Sequence, residues 1–194
     1  MKFRYLFFIF ITLLISTLLI SCGPDRLDDY SGDSYELVNQ NGETVVFPDD
    51  FEGNPVFVGF IYTHCPDICS FITSNLKKVH DELDSDDDTQ FILITFDPER
   101  DTPDVLKSYA SAFDMDTEPY HFLTGDTETI DELMRRVNVR TNITDELAEK
   151  SDQDIYFINH SDKILLIDSR SRLVFDYGGS MTPVEIFIED HQKL

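Results

Sequence analysis

The stretch from Val56 to Leu83 constrains this chain more than any other. Val56-Phe57-Val58-Gly59-Phe60-Ile61 is apolar and reads as a buried strand. Ile72, Leu76, Val79 and Leu83 then recur at the spacing of one helix face. Between them lies Tyr62-Thr63-His64-Cys65-Pro66-Asp67-Ile68-Cys69-Ser70. Two thiols therefore sit where a strand hands over to a helix, and Cys65 is expected to open that helix. Unpaired amides at a helix start carry partial positive charge and favour thiolate over thiol. A thiolate is both the nucleophile of disulfide exchange and a soft metal ligand. Two cysteines four apart can share one side of a helical turn, so both sulfurs could reach one metal ion or each other.

Three readings of this pair stand side by side. A structural disulfide stabilises by closing a long loop, and a bridge across three residues closes almost nothing. A redox couple is the second reading, although thioredoxin-type motifs have two intervening residues, not three. A metal site is the third, and two sulfurs then call for a nitrogen partner such as histidine.

The chain has 194 residues and a formal net charge of −23. Lys2 and Arg4 are the only charges in the first 21 residues, so the 15 basic residues fall to 13 beyond them, against 38 acidic ones. Such a surface repels nucleic acid. Met1–Ser21 reads as a targeting segment, with a basic start and an apolar run short for a membrane span of roughly 20 residues. Leu19-Ile20-Ser21-Cys22 resembles a bacterial lipobox, in which the chain is cut before the cysteine and the cysteine carries lipid. Lipidation of Cys22 explains the odd count of three cysteines. Gly23–Ser34 reads as an acidic tether, leaving 35–194 as one domain.

Within that domain Tyr35–Val38 and Thr44–Phe47 flank an Asn41-Gly42 turn and form an expected hairpin. Asp84–Asp88 ends the first helix as a solvated acidic loop; Thr89 and Thr95 stand where a calcium loop needs Gly and Glu. A second buried strand covers Gln90–Phe96. A helix comes next, capped by Thr102 with Pro103 behind it, and runs to about Phe113. Tyr120–Thr124 reads as strand, Thr127–Val137 as helix, Asn142–Asp154 as loop and Ile155–Asn159 as short and extended. Lys163–Asp168 and Leu173–Tyr177 are strands joined by Ser169-Arg170-Ser171. Thr182-Pro183-Val184-Glu185 is a capping box that starts a last helix. This order predicts an α/β, thioredoxin-like mixed sheet flanked by helices, with an N-terminal β-hairpin and its site at the carboxyl ends of the strands.

Five histidines compete as the third ligand. His80, among Lys77, Lys78 and Asp81, is expected on a solvated face, and His191 to be exposed near the C-terminus. His121 begins a strand and is open to either core or surface. His64 adjoins Cys65 but points to the opposite side of the strand. His160 lies in a loop between an apolar stretch and a strand.

Cys65-Pro66-Asp67-Ile68-Cys69 after Thr63-His64 closely resembles the two-cysteine signature of Sco/SenC proteins. Asp97-Pro98-Glu99-Arg100-Asp101-Thr102-Pro103, Asn159-His160-Ser161 with Leu165–Asp168, and Thr182-Pro183 are similar to further blocks of that family. The likeness runs from about Ser34 to the C-terminus. It implies a thioredoxin-like fold in which Cys65, Cys69 and His160 bind one copper ion. It further implies a chaperone or thiol reductase for the dinuclear copper centre of cytochrome c oxidase, partnered by its copper-bearing subunit. With the lipid anchor, this places the protein in a bacterial cell envelope, facing the periplasm. Ser70 stands where the family often has proline, and Asn159 where an aspartate usually precedes the histidine; neither removes a ligand. The rival reading is a thiol-disulfide oxidoreductase or peroxidase, with Cys65 as nucleophile and Cys69 as resolving thiol.

Overall fold

A computed structural model describes residues 23–144 and 156–194. The expected targeting segment, Cys22 and most of the 142–154 loop lie outside the described residues. In chain order the elements begin with β1 (Asp28–Asp29), β2 (Tyr35–Asn39), β3 (Thr44–Phe47) and β4 (Val56–Ile61). Next come helix α1 (Ile68–Glu82), β5 (Gln90–Thr95), α2 (Pro103–Ala112), β6 (Tyr120–Thr124) and α3 (Thr127–Arg136). The chain closes with β7 (Thr141–Thr144), β8 (Phe157–His160), β9 (Ile164–Ile167), β10 (Arg172–Tyr177) and α4 (Val184–His191).

An eight-stranded sheet runs β1-β10-β9-β4-β5-β6-β2-β3, and β7 pairs with β8 in a separate ribbon. Strands β4, β5 and β6 are parallel, as their helical crossovers require. β9 lies antiparallel to β4, and β10 to β9. The fold is the thioredoxin-like mixed sheet, with the β2–β3 hairpin added at the edge beside β6. Gly42 takes the positive φ that the Asn-Gly turn requires.

Every residue of β4 is buried, because helices cover both faces of the sheet centre. On one face Ile72, Leu76 and Val79 of α1 are fully buried. Gly59 permits that contact: a Cβ there would lie 2.8 Å from Ile72 Cγ2 and 3.1 Å from Leu76 Cδ1. Phe57 stacks on Phe91 at 5.8 Å and meets Phe187 of α4 edge-on at 5.9 Å. These rings anchor the sheet centre so that its carboxyl end can hold polar groups.

Three segments differ from expectation. From Leu27 onward the expected tether lies on the domain: Leu27 N–H donates to Leu173 at 2.7 Å, β1 pairs with β10, and Tyr30 is buried. The edge of β10 offers free backbone groups, and Arg136 of α3 supplies a cation over the Tyr30 ring. Thr141–Thr144 is a strand held by β8, where a loop was expected from Asn142 onward. Its backbone pairing leaves no apolar alternation to read in the sequence. The capping box at Thr182 does not form. Pro183 is the N-cap of α4, and the Thr182 hydroxyl donates to the Gly178 carbonyl at 2.7 Å.

Candidate metal centre

The parallel strand β4 ends at Ile61, and the chain turns over Tyr62–Asp67 before α1 begins. Cys65 therefore precedes the helix by three residues, while Cys69 lies in its first turn. The turn is pinned from below by Asp101, which is fully buried. One carboxylate oxygen of Asp101 accepts from Thr63 N–H at 3.0 Å and the Thr95 hydroxyl at 2.6 Å; the other accepts from the Thr63 hydroxyl at 2.5 Å. Burial raises the Asp101 pKa above the ordinary carboxylate value, partly opposed by these hydrogen bonds.

His160 ends β8 and swings over the thiols. Its Nε2 lies 3.4 Å from Cys69 Sγ. The ligating atoms of Cys65, Cys69 and His160 all lie within 4.8 Å of one another. His160 Nδ1 is 2.9 Å from the Ser161 carbonyl. A carbonyl only accepts, so Nδ1 carries the proton and the Nε2 lone pair faces the sulfurs. Phe96 packs against the imidazole at 4.6 Å and Tyr62 meets it edge-on at 6.0 Å, which fixes the ring plane.

The base of β8 is held by a second network. The Arg100 guanidinium lies 3.6 Å from the Tyr156 ring centre, pairs with Asp97 at 2.5 Å and donates to the Tyr156 carbonyl at 3.1 Å. The Tyr156 hydroxyl donates to Asp97 at 2.7 Å. The segment 97–101 thus ties together both halves of the site: Asp101 holds the thiol turn, and Asp97 with Arg100 holds the strand that carries His160. Sequence reasoning singled out this segment only by resemblance and missed Tyr156. No local signal marks such partners, which lie 38 to 59 residues apart.

The two thiols are unlike. A hydrogen bond from Cys69 lowers the Cys65 pKa to about 4, helped by the Asp67 and Cys69 amides. Burial of Cys65 opposes this. Cys69 moves the other way, because its proton is committed to Cys65 and it is 1% exposed. The pair therefore holds one thiolate, half-buried, above one buried thiol. The amides around the turn favour the anion as expected.

The remaining histidines lie elsewhere. His64 is exposed, its Nδ1 3.1 Å from the Thr63 hydroxyl. His80 is not on a solvated face: its Nδ1 forms a short hydrogen bond with Tyr120, and its ring packs against Phe91. His80 turns toward Tyr120 of β6, which the neighbouring charges in the sequence do not reveal. Nor is His191 exposed. It bonds the Thr89 hydroxyl at 2.7 Å and lies over Phe57, because α4 folds back across the sheet. His121, half-buried, bonds Gln90 at 2.9 Å. Among the described residues, Cys65, Cys69 and His160 form the one cluster of ligating side chains with metal-site spacing. Asn159 is exposed, and the Ser70 hydroxyl donates to the Asp67 carbonyl.

The family model described as SCO1/SenC matches residues 24–193. The chain belongs to the SCO1/SenC family. A SCO2-like protein of Rickettsia felis is 31% identical over 159 residues, covering 80% of this chain and 73% of that protein. Among solved structures, Bradyrhizobium japonicum ScoI with copper bound is 28% identical, with a TM-score of 0.63 over 83% of this chain and 98% of that one. A SCO1/SenC family lipoprotein from Bacillus anthracis is 25% identical, with a TM-score of 0.71 over 90% and 98%. BsSco, described as a disulfide-switch member of the Sco family of cytochrome c oxidase assembly proteins, is 26% identical, with a TM-score of 0.63 over 87% and 95%. All three share the fold of this SCO1/SenC protein.

Proposed function

We propose that this SCO1/SenC protein carries copper for the assembly of cytochrome c oxidase, holding one ion with Cys65, Cys69 and His160. The observation that carries the reading is the convergence of two sulfurs and an unprotonated imidazole nitrogen within 4.8 Å. Thiolate donors suit Cu(I), and the imidazole suits both Cu(I) and Cu(II). Copper is the cargo, and the protein's part is to present donors in the right protonation state. Cys65 is already a thiolate, so binding releases one proton, from Cys69. Hydrogen bonding of His160 Nδ1 to Ser161 keeps Nε2 free for the metal. Three ligands, one of them half-exposed, leave the ion open to an incoming ligand of the acceptor. That acceptor is read as the copper-bearing subunit of the oxidase.

A second reading rests on the thiolate of Cys65. It can attack a partner disulfide, forming a mixed disulfide and expelling the partner's other sulfur as thiolate. Cys69 then gives up its proton and attacks Cys65 Sγ. The Cys65–Cys69 disulfide forms, and the partner leaves as a dithiol, two electrons richer. The same oxidation removes both sulfur ligands, so copper carriage and thiol exchange exclude one another in a single molecule.

The protein is further read as anchored in the bacterial envelope by lipid on Cys22, after removal of residues 1–21, with its domain in the periplasm. The lipobox-like run and the family's lipoprotein from Bacillus anthracis support this. Metal analysis of the reduced protein tests the central reading. One copper per chain is expected, with binding greatly weakened in His160→Ala and unchanged in His80→Ala. Wild-type copper affinity in His160→Ala would leave the dithiol reading as the better one.

A further inference from the structure

The anchored end of the chain and the metal centre lie at opposite poles of the sheet. Gly23 and Pro24 line one cleft with Gly53, Pro55, Ser169 and Arg170. Pro55 precedes β4, and Ser169 and Arg170 form the β9–β10 turn, which Gly53 N–H joins by a 2.9 Å bond to Ser169. Val56 pairs with Ile167 at that end, whereas Cys65 lies beyond the other end of β4. A six-residue strand spans about 20 Å, so the thiols stand at least that far from the cleft.

The leading segment has almost no slack. Cys22 is bonded to Gly23, and consecutive Cα atoms lie about 3.8 Å apart. From Leu27 the chain is fixed to β10, and Arg136 clamps residues 28–33. The Arg136 guanidinium donates to Asp28 at 2.6 Å and to the Asp29 carbonyl at 2.8 Å, pairs with Asp33 at 2.7 Å, and covers Tyr30 at 4.4 Å.

We propose that the pole formed by Gly53, Pro55 and the Ser169–Arg170 turn faces the lipid surface, and that the clamp on residues 28–33 holds the metal centre pointing away from it. This rests on the reading of an N-terminal membrane anchor. The partner that takes the metal then meets it in the aqueous space, at the height of the domain's far end, and not at the headgroups. With the clamp released, residues 23–34 could extend about 40 Å and the orientation would be lost.

The absence of tryptophan makes this measurable. Phe71, 56% exposed on α1 beside Cys69, reports the metal pole, and exposed Arg170 the other. Full chain carrying Phe71→Trp or Arg170→Trp is produced in bacterial membranes and reconstituted into phosphatidylcholine vesicles containing nitroxide-headgroup lipid. Arg170→Trp is expected to lose most of its emission and Phe71→Trp to keep it, while remaining quenchable by acrylamide in solution. Adding Arg136→Ala should raise the lipid quenching of Phe71→Trp. Equal quenching at both positions would overturn the proposed orientation, and no effect of Arg136→Ala would overturn the role of the clamp. Flotation with the vesicles is read separately. A protein that does not float refutes the anchor itself, and the mass of the floated protein distinguishes lipid on Cys22 from an uncut leader.

Discussion

His160 and His191 sit near opposite ends of the same sheet, and their surroundings separate a proposed ligand from a structural histidine. His191 gives Nε2 to the Thr89 hydroxyl, stacks over Phe57 and is nearly covered. His80 is committed in the same way to Tyr120. His160 instead spends its proton on a neighbouring carbonyl and turns its lone pair toward Cys69. Around His191 the imidazole is committed to Thr89 and Asp87, so burial stabilises the fold. Around His160 three electron-rich donors face one another, an arrangement that a soft cation would complete.

The contrast can be broken at several points. The largest effect is expected from Cys69→Ala, which removes a proposed ligand and the hydrogen bond that most favours the Cys65 thiolate. Copper binding should be lost, and the ultraviolet thiolate titration of Cys65 should rise from about 4 toward the ordinary thiol value of roughly 8.5. His160→Ala should move that midpoint less. A midpoint unchanged in Cys69→Ala would refute the coupling of the two thiols.

Asp101→Ala comes next. It leaves two threonine hydroxyls and the Thr63 amide without their acceptor, and each stranded buried donor costs about 1–3 kcal/mol. A stability loss of about 3 kcal/mol or more is expected in denaturant unfolding. A loss below about 1 kcal/mol would show that the turn is held by other means.

The low Cys65 pKa makes stability depend on pH. Between about pH 4 and the ordinary thiol range, the folded chain binds fewer protons than the unfolded one. Stability of the reduced apoprotein should therefore rise with pH across that window, and this contribution should vanish as the pH falls through 4. Cys65→Ser should flatten that slope; an identical slope would contradict the thiolate assignment. The smallest effect belongs to the other end of the sheet. His191→Ala should cost about 1 kcal/mol of stability and leave copper binding untouched.

The fold was legible because its signals are local. The apolar run of β4, the helix-spaced residues of α1 and the Asn-Gly turn each declare themselves within a few residues. Cys65 and Cys69 were legible for the same reason. The reach of His160 to them across 91 residues was not; only the resemblance to a family pointed to it. The sequence neighbours of His80 and His191 are charged or terminal, yet Tyr120 and Thr89 decide their burial from distant elements. Likewise Tyr30 and Arg136 turn a charged, apparently loose segment into an edge strand, through contacts that composition does not register.

X-ray absorption on the copper-loaded, reduced protein tests the shared site most directly. Two sulfur scatterers and one imidazole nitrogen are predicted, with the imidazole contribution lost in His160→Ala and both sulfurs retained. A copper shell without sulfur, or an imidazole signal that survives in His160→Ala, would contradict it.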